Sequence, residues 1–439
     1  MLLSFRRRPE GLRSHCCSSL CRFFGSYFFP TRPKHDEPRT SSGGRIELRL
    51  RLFQTARGSL SEGNRVALGT LQVITCLLIM KSSNLTEDAV LQALNRIADP
   101  EFDRTIVDLG YVQGVDLRGD QLRAQLIFPY PGSPSREQVE SQVRQILGDL
   151  PGVASLELET RWQVTSKSAA QARQLIPAVK NAVAVASGKG GVGKSTIAAN
   201  LATALHSFGA SVGLMDADVY GPSIPKLMGA LKPPQVTPEK RIIPPQIRGI
   251  KLISMGYFLP KDEAVIWRGP MLHKMILDFL GLVEWGELDY LVIDLPPGTG
   301  DVQLSLCQTI PLTGAVVVST PQDLALEVAS KAIAMFRKLN TPVLGMIENM
   351  SYYRCPHCGE RDDIFGHGGA RQASRDLGYP FLGEIPLNSV IRERSDRGDP
   401  IALDSESEYG QAYRRIARGV AREIASANMV EPTEISIEI

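Results

Sequence analysis

Residues 181–196 read NAVAVASGKGGVGKST, a short apolar run that gives way to glycine and lysine. The apolar part has the pattern of a strand covered on both faces. The rest satisfies G-x-x-x-x-G-K-[ST], with Gly188, Gly193, Lys194 and Ser195 in place. Glycines without a Cβ let backbone N–H groups curl around phosphate oxygens at the start of a helix, here TIAANLATAL. In such a loop the lysine reaches the β- and γ-phosphates, and the serine hydroxyl ligates Mg²⁺. A chance glycine-rich turn would have no reason to sit between a buried strand and a helix. The stretch predicts a phosphate-binding loop over residues 188–196.

Working downstream, ASVGLMD, LDYLVID, GAVVVST and TPVLGMI are further short apolar runs, each followed by a polar or glycine-rich turn. Buried strands alternating with helices predict an α/β fold, a doubly wound, mostly parallel sheet of the P-loop NTPase kind. Its ligands belong at the carboxyl ends of the strands. Two of those ends carry acids. LMDADVYGPS places Asp216 and Asp218 two residues apart, on the same side of an extended chain. LVIDLPPGTGD ends in Asp294, where an acid is expected to hold Mg²⁺ through water, and Gly298 and Gly300 then form a loop suited to sensing a γ-phosphate. An aspartate at a strand end is commonly solvation or helix capping. Three of them behind a phosphate loop make a nucleotide site.

Working upstream, 439 residues leave room for two or three domains, and 43% hydrophobic with 22% charged residues is an ordinary globular balance. Thr86 followed by Glu87 and Asp88 reads as a helix start, with Val90, Leu91, Leu94 and Ile97 as its apolar stripe. YVQGVDL and LRAQLIF read as strands around a turn, SREQVESQVRQIL as a second amphipathic helix and VASLELE as a closing strand. The expected organisation is a small α+β domain over 84–160, a linker over 161–177, the P-loop domain over 178–428 and an acidic tail over 429–439.

Residues 1–83 have no steady period. Residues 1–79 hold 13 Lys and Arg against five Asp and Glu, so a chain of net charge +2 is acidic beyond them. An acidic folded part is a poor nucleic-acid binder. Because Met80 immediately precedes the first patterned helix, the leader reads as an unstructured or non-native extension; its Arg and Ser content also suits an organellar transit peptide. LGTLQVITCLLIM (68–80) falls far short of the ~20 residues of a membrane-spanning helix. Beyond the leader only Cys307, Cys355 and Cys358 remain, which suits a reducing compartment. The expected location is cytoplasmic, or an organelle matrix if the leader is a transit peptide.

The pair Cys355–Cys358 lies in SYYRCPHCGE and has no second pair to complete a four-ligand site. Its spacing fits half of a zinc knuckle, a share of an iron–sulfur site or a thiol–disulfide exchanger, and spacing alone does not choose. His357 and His367 read as loop residues rather than ligands. The last helix, GQAYRRIARGVAREIA, puts Tyr413, Ile416, Val420 and Ile424 on one stripe and Arg414, Arg418 and Arg422 on another. Such a helix packs on a core or lies on a lipid surface.

Taken together, GKGGVGKST, DADVYGPSIPKLMG, WRGPM, WGELDYLVIDLPPGTGDVQL, TPQDLAL, IENMSYYRCPHCG and FLGEIPL resemble the Mrp/ApbC family of iron–sulfur cluster carrier ATPases, from about residue 180 to 403. IADPEFDRTIVDLG, within 85–160, resembles the small cluster-assembly domain often fused ahead of them. The resemblance implies that Gly188, Lys189, Gly190, Gly191, Val192, Gly193, Lys194, Ser195 and Thr196 bind ATP and that Asn349 contacts adenine. It also implies that Asp218 is the hydrolytic aspartate, that Ser195 and Asp294 hold Mg²⁺, and that Cys355 and Cys358 ligate a [4Fe–4S] cluster. Lys189, a second lysine inside the loop, resembles the signature lysine of deviant Walker A ATPases, which crosses a dimer interface to the partner's nucleotide. It therefore implies a homodimer. Cluster scaffold proteins and recipient apo-proteins are the implied partners, with neither nucleic acid nor membrane among them. Deviant Walker A dimers also include ATPases that position membranes or DNA, and this class stays open beside the carrier and a zinc-bridged dimer. Two positions depart from the family: Ser133 stands where the small domain usually has a cysteine, and Glu327-Val328 where the ATPase usually has an aspartate.

Overall fold

The structure is a computed structural model that describes residues 85–166, 175–258, 269–355 and 357–429. The leader expected over 1–83, part of the expected linker and all but the first residue of the acidic tail lie outside the described residues.

The small N-terminal unit starts at α1 (Glu87–Leu94), where the Thr86 hydroxyl oxygen accepts the Ala89 N–H at 3.2 Å and Glu87 and Asp88 fill the first turn. β1 (Val112–Arg118) pairs antiparallel with β2 (Gln121–Phe128), and β2 pairs parallel with β3 (Ser155–Trp162). On β2, Leu122, Ala124, Leu126 and Phe128 all point inward, as period-two alternation demands. They meet Val90 and Leu94 of α1 and Val139, Val143 and Leu147 of α2 (Arg136–Gly148). β3 runs to Trp162, into the expected linker. The large indole packs against both this core and that of the following domain.

In the larger sheet, β4 (Val179–Ser187), β5 (Val212–Asp216), β6 (Ile250–Ser254), β7 (Leu288–Asp294), β8 (Gly314–Ser319), β9 (Val343–Arg354) and β10 (Phe381–Leu387) lie in the order β6-β5-β7-β4-β8-β9-β10, all parallel. Two-residue antiparallel ladders, Gln246–Ile247 and Arg361–Asp362, lie against β6 and β9. The fold is the doubly wound α/β arrangement the sequence predicts. Val183 and Val185 of β4 join the core beneath α3 (Lys194–Ser207). Ala182, Ala184 and Ala186 join the opposite core, covered by α4 (Gly269–Gly281), α5 (Asp301–Thr309), α6 (Asp323–Lys338) and α7 (Gly369–Leu377). Alternating side chains on a two-sided strand require both covers, which explains the continuous apolar runs.

The C-terminal α8 (Glu408–Met429) lies on the α3 face. Tyr413, Ile416, Val420 and Ile424 are all within 1% of full burial, so the helix's apolar stripe belongs to the core and is closed to lipid. Among the described residues no helix is long and apolar enough to cross a membrane. Because the chain leaves β4 for β5 on one side and passes from β7 to β8 on the other, the carboxyl ends of these strands open a crevice at the switch in strand order.

Candidate active site

The phosphate loop begins where β4 ends. Ser187 donates its hydroxyl to the Lys189 carbonyl at 3.0 Å, and the chain turns through Gly191 and Gly193, both left-handed (φ 80° and 81°). Gly193 immediately precedes α3, so its unusual backbone aims the first helical N–H groups at the crevice. Two glycines are also packed too tightly for a side chain. A Cβ at Gly188 would lie 2.6 Å from the Val328 backbone of α6, and one at Gly193 would lie 2.2 Å from the Asn349 amide nitrogen. Thus Val328 of the divergent Glu327-Val328 pair covers the loop, whereas Glu327 is exposed and bonds Lys331 at 3.1 Å.

Lys194 is only 5% exposed and binds Asp294 at 2.5 Å through Oδ1. Asp218 Oδ2 is 3.5 Å from the same ammonium, and the Ser195 hydroxyl 3.4 Å. The structure therefore brings Lys194, Ser195, Asp218 and Asp294, drawn from three strand ends, into one cluster. Burial holds the Asp294 carboxyl above the usual carboxylate range, and the Lys194 charge opposes that shift. Its Oδ2 is buried without a hydrogen-bond partner. A hard divalent cation seeks such an uncovered carboxylate oxygen, and Ser195 adds a hydroxyl beside it, so the donor set fits Mg²⁺.

Asp216 anchors the neighbouring loop, a job that its place in the sequence did not reveal. It accepts the Ser254 hydroxyl at 2.8 Å and the N–H groups of Asp218 and Ile224 at 3.2 Å each. Burial, then the nearby Asp294 charge, pushes its carboxyl well above the usual range. Asp218 in turn accepts the N–H groups of Tyr220 and Gly221 at 3.1 and 3.2 Å, which fixes its second oxygen toward Lys194.

Lys189 extends to Gln322, donating to Oε1 at 3.0 Å within its own chain. Asn349 donates its amide to the Val192 carbonyl at 2.8 Å, so strand β9 touches the phosphate loop directly. Immediately after it, Met350 is left-handed (φ 55°) and the β9–β10 register shifts between Asn349 and Tyr353. Cys355 follows the end of the strand; because four residues of β9 pass only two of β10 across that shift, it lies roughly 13 Å along the sheet from Asn349 at ordinary strand rise. The cysteines are thus apart from the lysine–aspartate cluster but share a strand with the loop.

The Cys355 N–H donates to the Glu360 carbonyl at 2.8 Å and the Gly359 N–H to the Cys355 carbonyl at 2.9 Å, with Gly359 left-handed (φ 74°). This turn also directs the N–H groups of Cys358 and His357 at the Cys355 sulfur. They draw its thiol below the ordinary value, the condition of a metal-ligating thiolate. Cys355 is half-buried and Cys358 exposed. Cys307, buried in α5, is pushed up to about 12 by burial and stays a thiol.

Two polar clusters escaped the sequence reading. Glu348, fully buried on β9, accepts the N–H groups of Gly368 and Ala370 at 2.9 and 2.7 Å and the Ser351 hydroxyl at 2.5 Å. His367 and Glu384 bring ligand atoms within 4.8 Å of it. Both Glu348 oxygens, however, serve backbone N–H groups at the start of α7, and Arg371 lies 3.6 Å from Glu384, so the group works as a helix cap. In the small domain Ser133 bonds Glu101 at 2.5 Å, Tyr130 also donates to Glu101, and Ser135 and Tyr111 each donate to the buried Asp99 at 2.9 Å. The divergent serine is one member of this closed hydrogen-bonded set.

The family model described as NUBPL iron-transfer P-loop NTPase matches residues 178–421. The chain belongs to this family. The NUBPL iron-transfer P-loop NTPase region is preceded by a match over 87–158 to the iron–sulfur cluster assembly protein family. An iron-sulfur cluster carrier protein of Deinococcus radiodurans is 46% identical over 349 residues, covering 79% of this chain and 98% of that protein. The Escherichia coli protein of the same name is 40% identical over 358 residues, 81% of this chain and 97% of that one. The iron-sulfur cluster transfer protein NUBPL of Dictyostelium discoideum is 46% identical over 256 residues, 58% and 79% of the two chains. Among solved structures, an Archaeoglobus fulgidus nucleotide-binding protein in complex with ADP is 42% identical, with a TM-score of 0.49 over 55% of this chain and 96% of that one.

Proposed function

We propose that this NUBPL-type P-loop NTPase is an ATP-hydrolysing cluster carrier. Two copies hold one [4Fe–4S] cluster between them through Cys355 and Cys358, take it from a scaffold protein and pass it to apo-proteins. The observation that carries this reading is strand β9, with the loop contact Asn349 near its middle and the cysteine turn at its end. A nucleotide that moves the loop pulls on the strand that presents the sulfurs.

In the nucleotide site, residues 188–196 wrap the phosphates, Lys194 turns from its carboxylates to the β/γ-oxygens and Asn349 faces adenine. Ser195 and Asp294 would hold Mg²⁺, which when bound would supply charge neutralisation at the phosphates. Asp218, already aimed at the Lys194 ammonium, orients the attacking water. Lys189 reaches the partner's phosphates when two copies meet. The four-thiolate shell needs two copies, because among the described residues each chain offers two exposed or half-exposed cysteines. The work is cytoplasmic and needs neither a membrane nor nucleic acid; burial of the α8 stripe weighs against a lipid-surface role.

Anaerobic reconstitution tests this. The expected yield is about four irons and four sulfides per dimer. A monomer with a whole cluster, or stoichiometric zinc instead, would overturn the bridging arrangement.

The trans role of Lys189 has its own test. Lys189→Ala and Asp218→Ala should each abolish hydrolysis. Mixed and allowed to exchange subunits, they should recover about a quarter of wild-type turnover, since half the dimers are mixed and each mixed dimer restores one site. A mixture as inactive as either parent, with exchange verified by differently tagged chains, would place Lys189 in cis.

A further inference from the structure

At the far end of α3 from the phosphate loop, α8 turns arginines toward a cavity of about 370 Å³ lined by Ser405, Gln411, Arg414, Arg415 and Arg418. Arg414 donates to the Ser207 hydroxyl at 2.6 Å, at the last residue of α3. The guanidiniums of Arg414 and Arg418 stack 4.7 and 5.1 Å from the Phe208 ring centre. The same ring closely approaches the small domain, only 2.7 Å from where a Cβ on Gly132 would stand.

What stands out is the charge. Arginines nearby are matched: Arg394 bonds Asp399 and Asp404, Arg354 lies against Glu408, and Arg422 on the same helix bonds Glu423. Among the described residues, Arg414, Arg415 and Arg418 have no carboxylate partner. Arg418 Nε is buried without any hydrogen bond. Burial, then the Arg418 charge, draws the Arg414 guanidinium below its ordinary value, so the two cations repel across the ring. The carboxyl end of α3 and the aromatic face offset part of that repulsion, but neither satisfies the buried N–H. Stacking on Phe208 accounts for two of the arginines and gives the exposed Arg415 no task. Among the described residues no carboxylate lines the cavity.

We propose that this cavity is a binding site for a phosphoryl group, free or carried as a monoester. Guanidinium forks match phosphate oxygens in pairs, and three arginines lining one cavity suit a dianion better than a single carboxylate. The site is separate from the nucleotide site, about 20 Å away along the fourteen-residue α3.

Calorimetric titration with inorganic phosphate tests it. The full chain is first saturated with Mg²⁺ and a non-hydrolysable ATP analogue, so that the loop's own phosphate positions are filled. Saturable phosphate binding is expected, weakened at least tenfold in Arg418→Gln and in Arg415→Gln, with analogue affinity unchanged. Arg415→Gln keeps the test usable if Arg418→Gln fails to fold, because Arg415 is exposed. No saturable binding, or binding unaltered in both folded variants, overturns the proposal. A phosphoserine peptide that binds tighter than phosphate identifies a protein-borne ligand, and equal affinity identifies the free anion; both support the site. Binding to phosphatidic acid vesicles without binding of soluble phosphate overturns it in favour of a lipid surface.

Discussion

In Lys194→Ala, ATP affinity should fall by about a hundredfold or more, the loss of charge-assisted hydrogen bonds worth roughly 3 kcal/mol or above. The structure adds a second consequence. Lys194 is the buried counter-ion of Asp294 and lies within 3.5 Å of Asp218. Removing one member of a buried pair leaves the other uncompensated, at about 3–5 kcal/mol, or roughly a 10 °C drop in Tm for a domain of this size. The sign of the pH dependence follows. Burial already raises the Asp294 carboxyl, and Lys194 is the largest influence lowering it, so the variant raises it further. A carboxyl whose folded pKa exceeds its unfolded value of about 4 destabilises the fold progressively as pH rises between the two. The Tm deficit against wild type should therefore shrink as pH falls toward 5 and grow toward 8. A pH-independent deficit would show that Asp294 is not the group left unpaired. Circular dichroism at each pH separates lost binding from lost fold.

The same site shows where sequence reading stops. Apolar runs ending in glycine or aspartate gave away the parallel strands and their carboxyl-edge crevice, because a strand buried on both faces can hardly be written otherwise. The loop motif likewise located Lys194 and Ser195. Partners remote along the chain could not be read. Nothing in ENMS says that Glu348 caps a helix some twenty residues later, or that Asn349 reaches the Val192 carbonyl, because both depend on the stacking of β8, β9 and α7. By spacing alone Asp216 and Asp218 looked equivalent in DAD, and only the family resemblance singled out Asp218. Only the depth of β5 made one a buried loop anchor and the other a lysine partner. Ser133 read as a lost cysteine, and tertiary packing supplied Glu101, Tyr130 and Ser135 around it. The arginines of α8 were visible as a stripe, but the absence of facing carboxylates is a property of a surface and cannot be seen along a helix.

The cysteine turn carries the other large effect. Cys355→Ala or Cys358→Ala should reduce reconstituted iron from about two per chain to near zero, with ATP affinity unchanged within about twofold. One substitution removes two ligands from a symmetric dimer, and a cluster held by two thiolates has half of its corners open to solvent and chelators. The nucleotide site should not notice: the turn bonds chiefly to itself, through Cys355, Gly359 and Glu360, while Asn349 reaches the loop from before the register shift. Cys355 accepts the local N–H groups and Cys358 is the more exposed sulfur, so Cys355→Ser should lose iron as fully as alanine does. A hydroxyl in that place stays protonated where the thiol ionises. Cys307→Ala is the control, since that thiol is buried and held neutral. Retention of half the iron in either single variant would mean that the one thiolate left on each chain still holds iron, against a shared four-thiolate shell. Equal loss of ATP binding would mean that the turn is part of the nucleotide site. Clean separation of the two losses would leave β9 as the physical link between hydrolysis and cargo. Relieving the left-handed Met350 with Met350→Gly would then be expected to change cluster release on ATP addition while leaving both binding steps intact.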